Sequence, residues 1–413
     1  MQPLDHVRIK ENLLQKPSLQ KLFDILTADH GEAMVAGGAV RNALLGQSIS
    51  DVDICTTLLP EKVIERLGKA GERAIPTGIE HGTVTVVIDG NAFQVTTIRE
   101  DVETDGRHAI VRFGTDWARD AERRDLTINA LYCDRHGYIY DPVGGFDDIN
   151  EKRVRFIGDA STRIEEDALR ILRFFRFFAF YGFGRPDTEG LKACSAKRWL
   201  LAKLSAERVW MELKKLLSAP DPGRTLLWMR TTNVLAEILP ESAKWGIDSI
   251  PGLIRAEQEL NWQVDPMLRL MAMIRPHQET VQILAKRLSF SNAERDRLFE
   301  WSASSPPKSD MTEAELDKWL YRQSFQGAID AMRLEVVHLR NRDHEKDANS
   351  MVDLLAMAEK WKQPVFPVRG SDLTAIGIES GPQLGALLKQ LEEDWIEGGF
   401  KLNRDELINR LKK

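Results

Sequence analysis

At 413 residues the chain is longer than one compact domain, so roughly two to four domains are expected, and 43% hydrophobic with 29% charged residues excludes wholesale disorder. Three scattered cysteines, Cys55, Cys133 and Cys194, exclude a disulfide framework or a zinc cluster, and neither a signal-peptide pattern in MQPLDHVRIKENLL nor an 18-residue uncharged apolar run occurs, so the reading is a cytoplasmic protein with no membrane partner. The net charge of −6 argues against a polyanionic partner only on average: residues 152–230 hold 17 Lys+Arg against 9 Asp+Glu, net +8, and residues 1–151 are net −9.

In chain order, Met34-Val35-Ala36 reads as a short strand, Gly37-Gly38 break it, and Ala39 to Leu45 reads as a helix that stops at Gly46. Thr83–Ile88 and Ala92–Ile98 are β-branched runs flanking Asp89-Gly90-Asn91, a hairpin signal. Segment 100–118, with Asp105-Gly106 in its middle, reads as a long loop or ribbon. Beyond about residue 160 the pattern is helical, and SAPDPG (218–223), SSPPK (304–308) and QPVFPVRG (363–370) punctuate it. The fold class is therefore α+β followed by all-α. No fixed-period repeat is present.

Four segments carry chemistry. Asp51 and Asp53, read as a strand, present two carboxylates to one point; hard oxygen ligands at that spacing suit Mg²⁺, although a solvated Asp-x-Asp turn has the same sequence. Gly37 and Gly38 before a helix let backbone N–H groups approach a phosphate, and Arg41 one turn along reaches the same anion. In DAERRDLTINAL, Arg123 and Arg124 beside Asp125 can hold phosphate and a ribose hydroxyl, with Asn129 four residues on sharing a helix face. The same residues also suit a surface ion-pair cluster.

In EEDALRILRFFRFFAF, Asp167, Arg170, Arg173 and Arg176 recur every three residues on a predicted helix, drifting around its surface over about 13 Å. Three arginines beside an aromatic wall need anions or carboxylates. A carboxylate acceptor next to a guanidinium donor matches cytosine and adenine, which both present an amino donor beside a ring-nitrogen acceptor, and mismatches uracil and guanine.

These segments together resemble the class II tRNA nucleotidyltransferases, the CCA-adding family that also contains bacterial poly(A) polymerases. GG-x-VR with D-x-D resembles its nucleotidyltransferase motif, DAERRDLTINAL its ribose-recognition motif, and DPVGG (Asp141 to Gly145) its hinge motif. EDALRILR resembles its amino-acid template, SAERVWMEL (Ser205 to Leu213) its last motif, and, more weakly, GSDLTAIGIESGPQLGALL (Gly370 to Leu388) its C-terminal tail. The resemblance implies a polymerase-β-like nucleotidyltransferase head with a mixed β-sheet over 1–150, a helical neck over 151–222, a body over 223–345 and a tRNA-binding tail over 346–413. It implies Mg²⁺, with a two-metal site, at Asp51 and Asp53, and triphosphate contacts from Gly38 and Arg41. It places Arg124 in nucleotide binding, Asp167 and Arg170 in base selection, Arg173 and Arg176 in the same site, and Arg208 in support of the nucleotide.

Two positions depart from the family pattern. Asn42 and Gln94 stand where many members have an acid, and a neutral amide at Gln94 ligates metal or accepts a proton poorly. The implied activity is template-independent addition or repair of the 3′-terminal CCA of tRNA with CTP and ATP. Poly(A) polymerase, an A-adding-only or CC-adding-only specialist, and a catalytically inactive RNA-binding module are the alternatives. No His-Asp dyad points to a fused phosphohydrolase, and no obligate protein partner is evident.

Overall fold

The computed structural model describes residues 2–4, 7–9, 14–105, 108–242 and 246–411. Contacts group the chain into two units, Met1–Pro240 and Glu241–Lys413. In the first unit, helix α1 (Pro17–Thr27) starts on a proline, which lacks an N–H that the first turn would leave unpaired. It buries Leu19, Leu22, Phe23 and Leu26, the i, i+3, i+4, i+7 stripe of an amphipathic helix. Strand β1 (Ala33–Ala36) and helix α2 (Gly38–Leu44) follow, then β2 (Asp53–Thr56), α3 (Pro60–Lys69), β3 (Arg73–Gly78), β4 (Thr83–Ile88) and β5 (Asn91–Thr97).

The β4–β5 hairpin forms where expected: Asp89 and Gly90 both have positive φ, the two-residue turn that matches strand twist. Gly46, φ +63°, closes α2 as read from the sequence. Segment 100–118 is the ribbon rather than the loop: β6 (Arg99–Asp105) pairs antiparallel with β7 (His108–Phe113), with Gly106 outside the described residues. Helix α4 (Trp117–Glu122), short strands β8 (Tyr132–Cys133) and β9 (Ile139–Tyr140), and helix α5 (Gly145–Asn150) complete the β-containing part.

The main sheet has the order β3-β4-β5-β2-β1-β8-β9, with β2 and β5 parallel and the other pairs antiparallel. Its register places the chemistry. Ala36, the last residue of β1, lies opposite Asp53, the first of β2, and Asp53 lies opposite Gln94 of β5. The Gly37 turn therefore leaves the sheet beside Asp53, and the Gly37 N–H donates to the Leu131 carbonyl (2.9 Å) to hold it there.

The DPVGG segment is a closed turn. Asp141 accepts from the N–H groups of Gly145 and Phe146 (2.8 Å each), Gly144 has φ +76°, and a Cβ on Gly145 would run into the Thr127 carbonyl. From α5 onward the unit is helical: α6 (Ala160–Glu166), α7 (Leu169–Tyr181), α8 (Thr188–Lys197), α9 (Ala206–Leu217), α10 (Gly223–Thr231) and α11 (Val234–Ile238). Helix α7 buries Ile171, Leu172, Phe174, Phe175, Phe177 and Phe178 and packs on α9.

The second unit is helical among its described residues, from α12 (Ile250–Glu259) and α13 (Pro266–Met273) to a last helix at Arg404–Arg410. Arg269 of α13 is fully buried and meets Glu257 of α12 with two charge-assisted hydrogen bonds (3.0 and 2.6 Å), so neither charge is left unpaired. The helix expected after Gly381-Pro382 runs Pro382–Glu397. The three punctuating segments all fall between helices. No helix of the described residues is long and apolar enough to cross a membrane.

Candidate nucleotide site

One cavity of about 500 Å³ opens where the C-terminal end of β1 and the N-terminal end of β2 meet α7 and α9. Gly37, Gly38, Arg41, Asp53, Arg124, Asp125 and Asn129 line it from the sheet side, and Asp167, Arg170, Arg173, Arg176 and Arg208 from the helical side. Asp51 lines an adjoining cavity of about 470 Å³ together with Asp53, Ser50, Thr85 and Gln94, so Asp53 belongs to both.

Gly37 takes φ +67°, ψ −119°, a conformation that strains any residue with a Cβ, and a Cβ there would also press on Arg124 Nη1 (3.3 Å). Helix α2 is only seven residues long, so its dipole adds little and the cationic pull at this turn comes from Arg41. Arg41 is buried, and burial pulls its guanidinium below the usual arginine range. It donates to Asn129 Oδ1, to Asn42 Oδ1 (3.0 Å) and to the Tyr181 hydroxyl (2.8 Å), all neutral oxygens.

The carboxylates differ from the sequence reading in three places. Asp51 is not a strand residue; β2 begins at Asp53, and Asp51 sits in the preceding loop. The pair still shares a field: the Asp53 carboxyl is held above its usual range first by loss of solvent and further by Asp51, while Arg124 opposes. Arg123 and Arg124 do not pair with Asp125. Their partner is Asp120 on α4, at the i,i+3 and i,i+4 spacings, with N–O distances of 2.8 and 3.1 Å. Asp120 is fully buried, also accepts from Tyr132 Oη (2.7 Å), and stays ionised because the two guanidinium groups outweigh the cost of burial.

Nor do Asp125 and Asn129 share a helix: residues Thr127–Asn129 form one 3₁₀ turn, which brings Asn129 Nδ2 to Asp125 Oδ1 at 3.4 Å. The Asp125 carboxylate is taken by Arg173 Nε (2.6 Å).

Asp167 is not helical either. The predicted single helix breaks there, with Asp167 at φ −152°, ψ 108° between α6 and α7. Its side chain is the reason: Oδ1 accepts the Leu169 N–H (3.1 Å) at the open start of α7, and Oδ2 accepts from Arg208 Nη2 (2.7 Å). Arg170 donates through Nη1 to Glu166 and to the Arg163 carbonyl (3.0 Å). Arg176 donates to Glu212 of α9 (2.6 Å). The arginines beside the aromatic wall thus do meet carboxylates, and of the cavity's six guanidinium groups Arg41 alone has only neutral partners among the described residues.

Asp120, Glu166, Phe177, Tyr181 and Glu212 were not picked out from the sequence. Asp120 and Glu166 carried a signal, their i,i+3 and i,i+4 spacing to arginines; Phe177, Tyr181 and Glu212 become visible only when α7 meets α2 and α9. Asp120→Asn is expected to cost about 3–5 kcal/mol of stability, because two guanidinium groups lose a buried partner, as read by urea unfolding. A loss under 1 kcal/mol would contradict this account of the network.

The Poly A polymerase head domain family matches residues 33–155, and the family described as the probable RNA and SrmB- binding site of polymerase A matches 185–245. The chain is 35% identical to the mouse (Mus musculus) protein "CCA tRNA nucleotidyltransferase 1, mitochondrial", over 97% of this chain and 93% of that one. It is 32% identical to the CCA-adding enzyme of Streptococcus pyogenes, over 94% and 95%. The crystal structure of the Bacillus stearothermophilus CCA-adding enzyme in complex with CTP superposes with a TM-score of 0.72 at 27% identity, covering 96% of this chain and 98% of that one. A mixed-sheet head followed by helical domains is common to both. With relatives this similar across almost the whole length, the chain belongs to the family of CCA-adding tRNA nucleotidyltransferases.

Proposed function

We propose that this protein builds or repairs the 3′-terminal CCA of tRNA from CTP and ATP, and that the cavity between the ends of β1 and β2 and helix α7 holds the incoming nucleoside triphosphate. The observation that carries the reading is the convergence on one cavity of a glycine turn, a carboxylate beside it and six guanidinium groups. No other chemistry uses that set as economically: glycines admit phosphate to the backbone, and the arginines match a polyanion.

The triphosphate lies along Gly38 and Arg41, with Arg124 behind the Gly37 turn. The base edge faces Asp167 and Arg170. Arg208 and the Leu169 N–H orient the Asp167 carboxylate as acceptor, while Glu166 and the Arg163 carbonyl hold one end of the Arg170 guanidinium and leave its other donors to the base. Acceptor and donor side by side match C and A. Arg173 and Arg176, anchored on Asp125 and Glu212, present fixed N–H donors on the cavity wall.

The 3′-hydroxyl of the RNA displaces pyrophosphate from the α-phosphate, and it approaches from the Asp51–Gln94 side, since Asp53 borders both cavities. Asp51 and Asp53, with the amide oxygen of Gln94 within the same cavity, are hard oxygen donors that fit one or two Mg²⁺ ions completed by phosphate oxygens and water. Such ions, when bound, would lower the pKa of the hydroxyl and spread the developing phosphoryl charge. With Gln94 where a third acid would stand, the proposed centre rests on two carboxylates, Asp51 and Asp53, unless another acid such as Asp125 contributes. The tRNA acceptor and T arms would be held by the helical remainder through backbone shape and phosphate contact.

The test is incorporation on a tRNA lacking CCA, with labelled CTP and ATP and product length resolved on a gel. Addition of C, C and A followed by arrest is expected. Addition that never uses CTP and runs past three nucleotides would identify a poly(A) polymerase, and a stop after CC, or A added only to a CC end, a specialist. Asp51→Ala with Asp53→Ala is expected to lower the rate by roughly 10³-fold or more, while the variant still binds tRNA. Full activity in that double variant would place the metal site elsewhere.

A further inference from the structure

Arg41 differs from every other guanidinium in the cavity by what surrounds it. Arg124, Arg170, Arg173, Arg176 and Arg208 each meet a carboxylate. Arg41 meets two amide oxygens, a phenol and two aromatic faces. Both faces come from the last turn of α7, the helix that begins beside Asp167. The Tyr181 ring lies 4.0 Å and the Phe177 ring 5.2 Å from the Arg41 guanidinium carbon, and the two rings stack on each other at 5.9 Å.

Tyr181 holds Arg41 twice. Its ring takes the guanidinium face, and its hydroxyl oxygen accepts from Nη2 at 2.8 Å while the O–H points to Asn42 Oδ1 at 3.4 Å. That Nη2 lies 3.6 Å from where a Cβ of Gly38 would stand, so the atom Tyr181 fixes is the one at the glycine turn. Phe177 is shared with Arg176 (4.1 Å) and Arg173 (5.4 Å), and its π face offsets part of the repulsion among three like charges.

The choice of partner has an electrostatic consequence. A carboxylate would orient Arg41 equally well but would cancel the charge that an incoming anion needs. A phenol and a ring orient it and leave the charge intact.

We propose that Tyr181, backed by Phe177, is a positioning residue that aims Arg41, which has no directly paired carboxylate, at the polyphosphate of the nucleotide, so that the far end of the base-selecting helix also sets the phosphate contact. This rests on the nucleotide reading above. It is specific to the phosphate end of the ligand, and that separates it from a general packing role.

The experiment compares wild type, Tyr181→Phe, which keeps the ring, and Tyr181→Leu, which removes it. Inhibition constants against CTP are measured for inorganic tripolyphosphate and for CMP, alongside kcat, KM and melting temperature. Tyr181→Phe is expected to weaken tripolyphosphate roughly 3- to 10-fold and raise KM for CTP and ATP alike, with kcat held within about twofold. CMP inhibition should change less than twofold, and Tyr181→Leu should lose more tripolyphosphate affinity than Tyr181→Phe. Unchanged tripolyphosphate inhibition in both variants, or parallel losses for CMP and tripolyphosphate, would overturn the proposal. A wild-type protein that uses CTP but is not inhibited by tripolyphosphate would overturn it too, whereas a wild type that neither uses nor binds CTP would remove the nucleotide reading itself.

Discussion

Six guanidinium groups in one cavity repel one another, and the local structure around them is arranged to keep them there. Five are held by carboxylates: Asp120, shared with Arg123, for Arg124; Glu166, shared with Arg163, for Arg170; Asp125 for Arg173; Glu212 for Arg176; and Asp167 for Arg208. Truncating any of these carboxylates leaves a partly buried cation unpaired, which is worse than having no pair at all. The partners come from α4, α6, the Asp125 turn, α9 and the α6–α7 break, so the cavity walls are tied together by charge as well as by packing. The sixth, Arg41, is held by neutral groups, so its charge is not cancelled by a directly paired carboxylate.

The sheet supplies the other half of the geometry. Register puts Ala36 opposite Asp53 and Asp53 opposite Gln94, so a one-residue slip of β2 would turn Asp53 away from both. The glycine turn, the Asp53 carboxylate proposed to hold metal and the strand that carries Gln94 are therefore one decision of strand pairing. Because Asp53 borders two cavities, the proposed nucleotide and the proposed RNA end would meet at it.

What could be read from the sequence was local. The β4–β5 hairpin, the strand and glycine turn before α2, and the three-residue spacing of Arg170, Arg173 and Arg176 are patterns within about ten residues. The break at Asp167 was misread because no glycine or proline marks it; the signal was an aspartate before an apolar run, which caps a helix start as readily as it sits on one. Pairings across the fold, Arg176 with Glu212 or Arg41 with Tyr181, have no sequence signature, since residues 36 and 140 positions apart meet only after α7 packs. The net charge of −6 was uninformative for the same reason: what matters in the cavity is which guanidinium groups meet carboxylates, and Arg41 is the one of the six held by neutral groups.

The most direct measurement of this account is a crystal structure of the protein with bound CTP. The account predicts the triphosphate against Gly38 and Arg41, with Arg41 still on the Tyr181 ring, and the cytosine edge against Asp167 and Arg170. A nucleotide bound with its phosphates away from Arg41, or with its base facing residues other than Asp167 and Arg170, would contradict it.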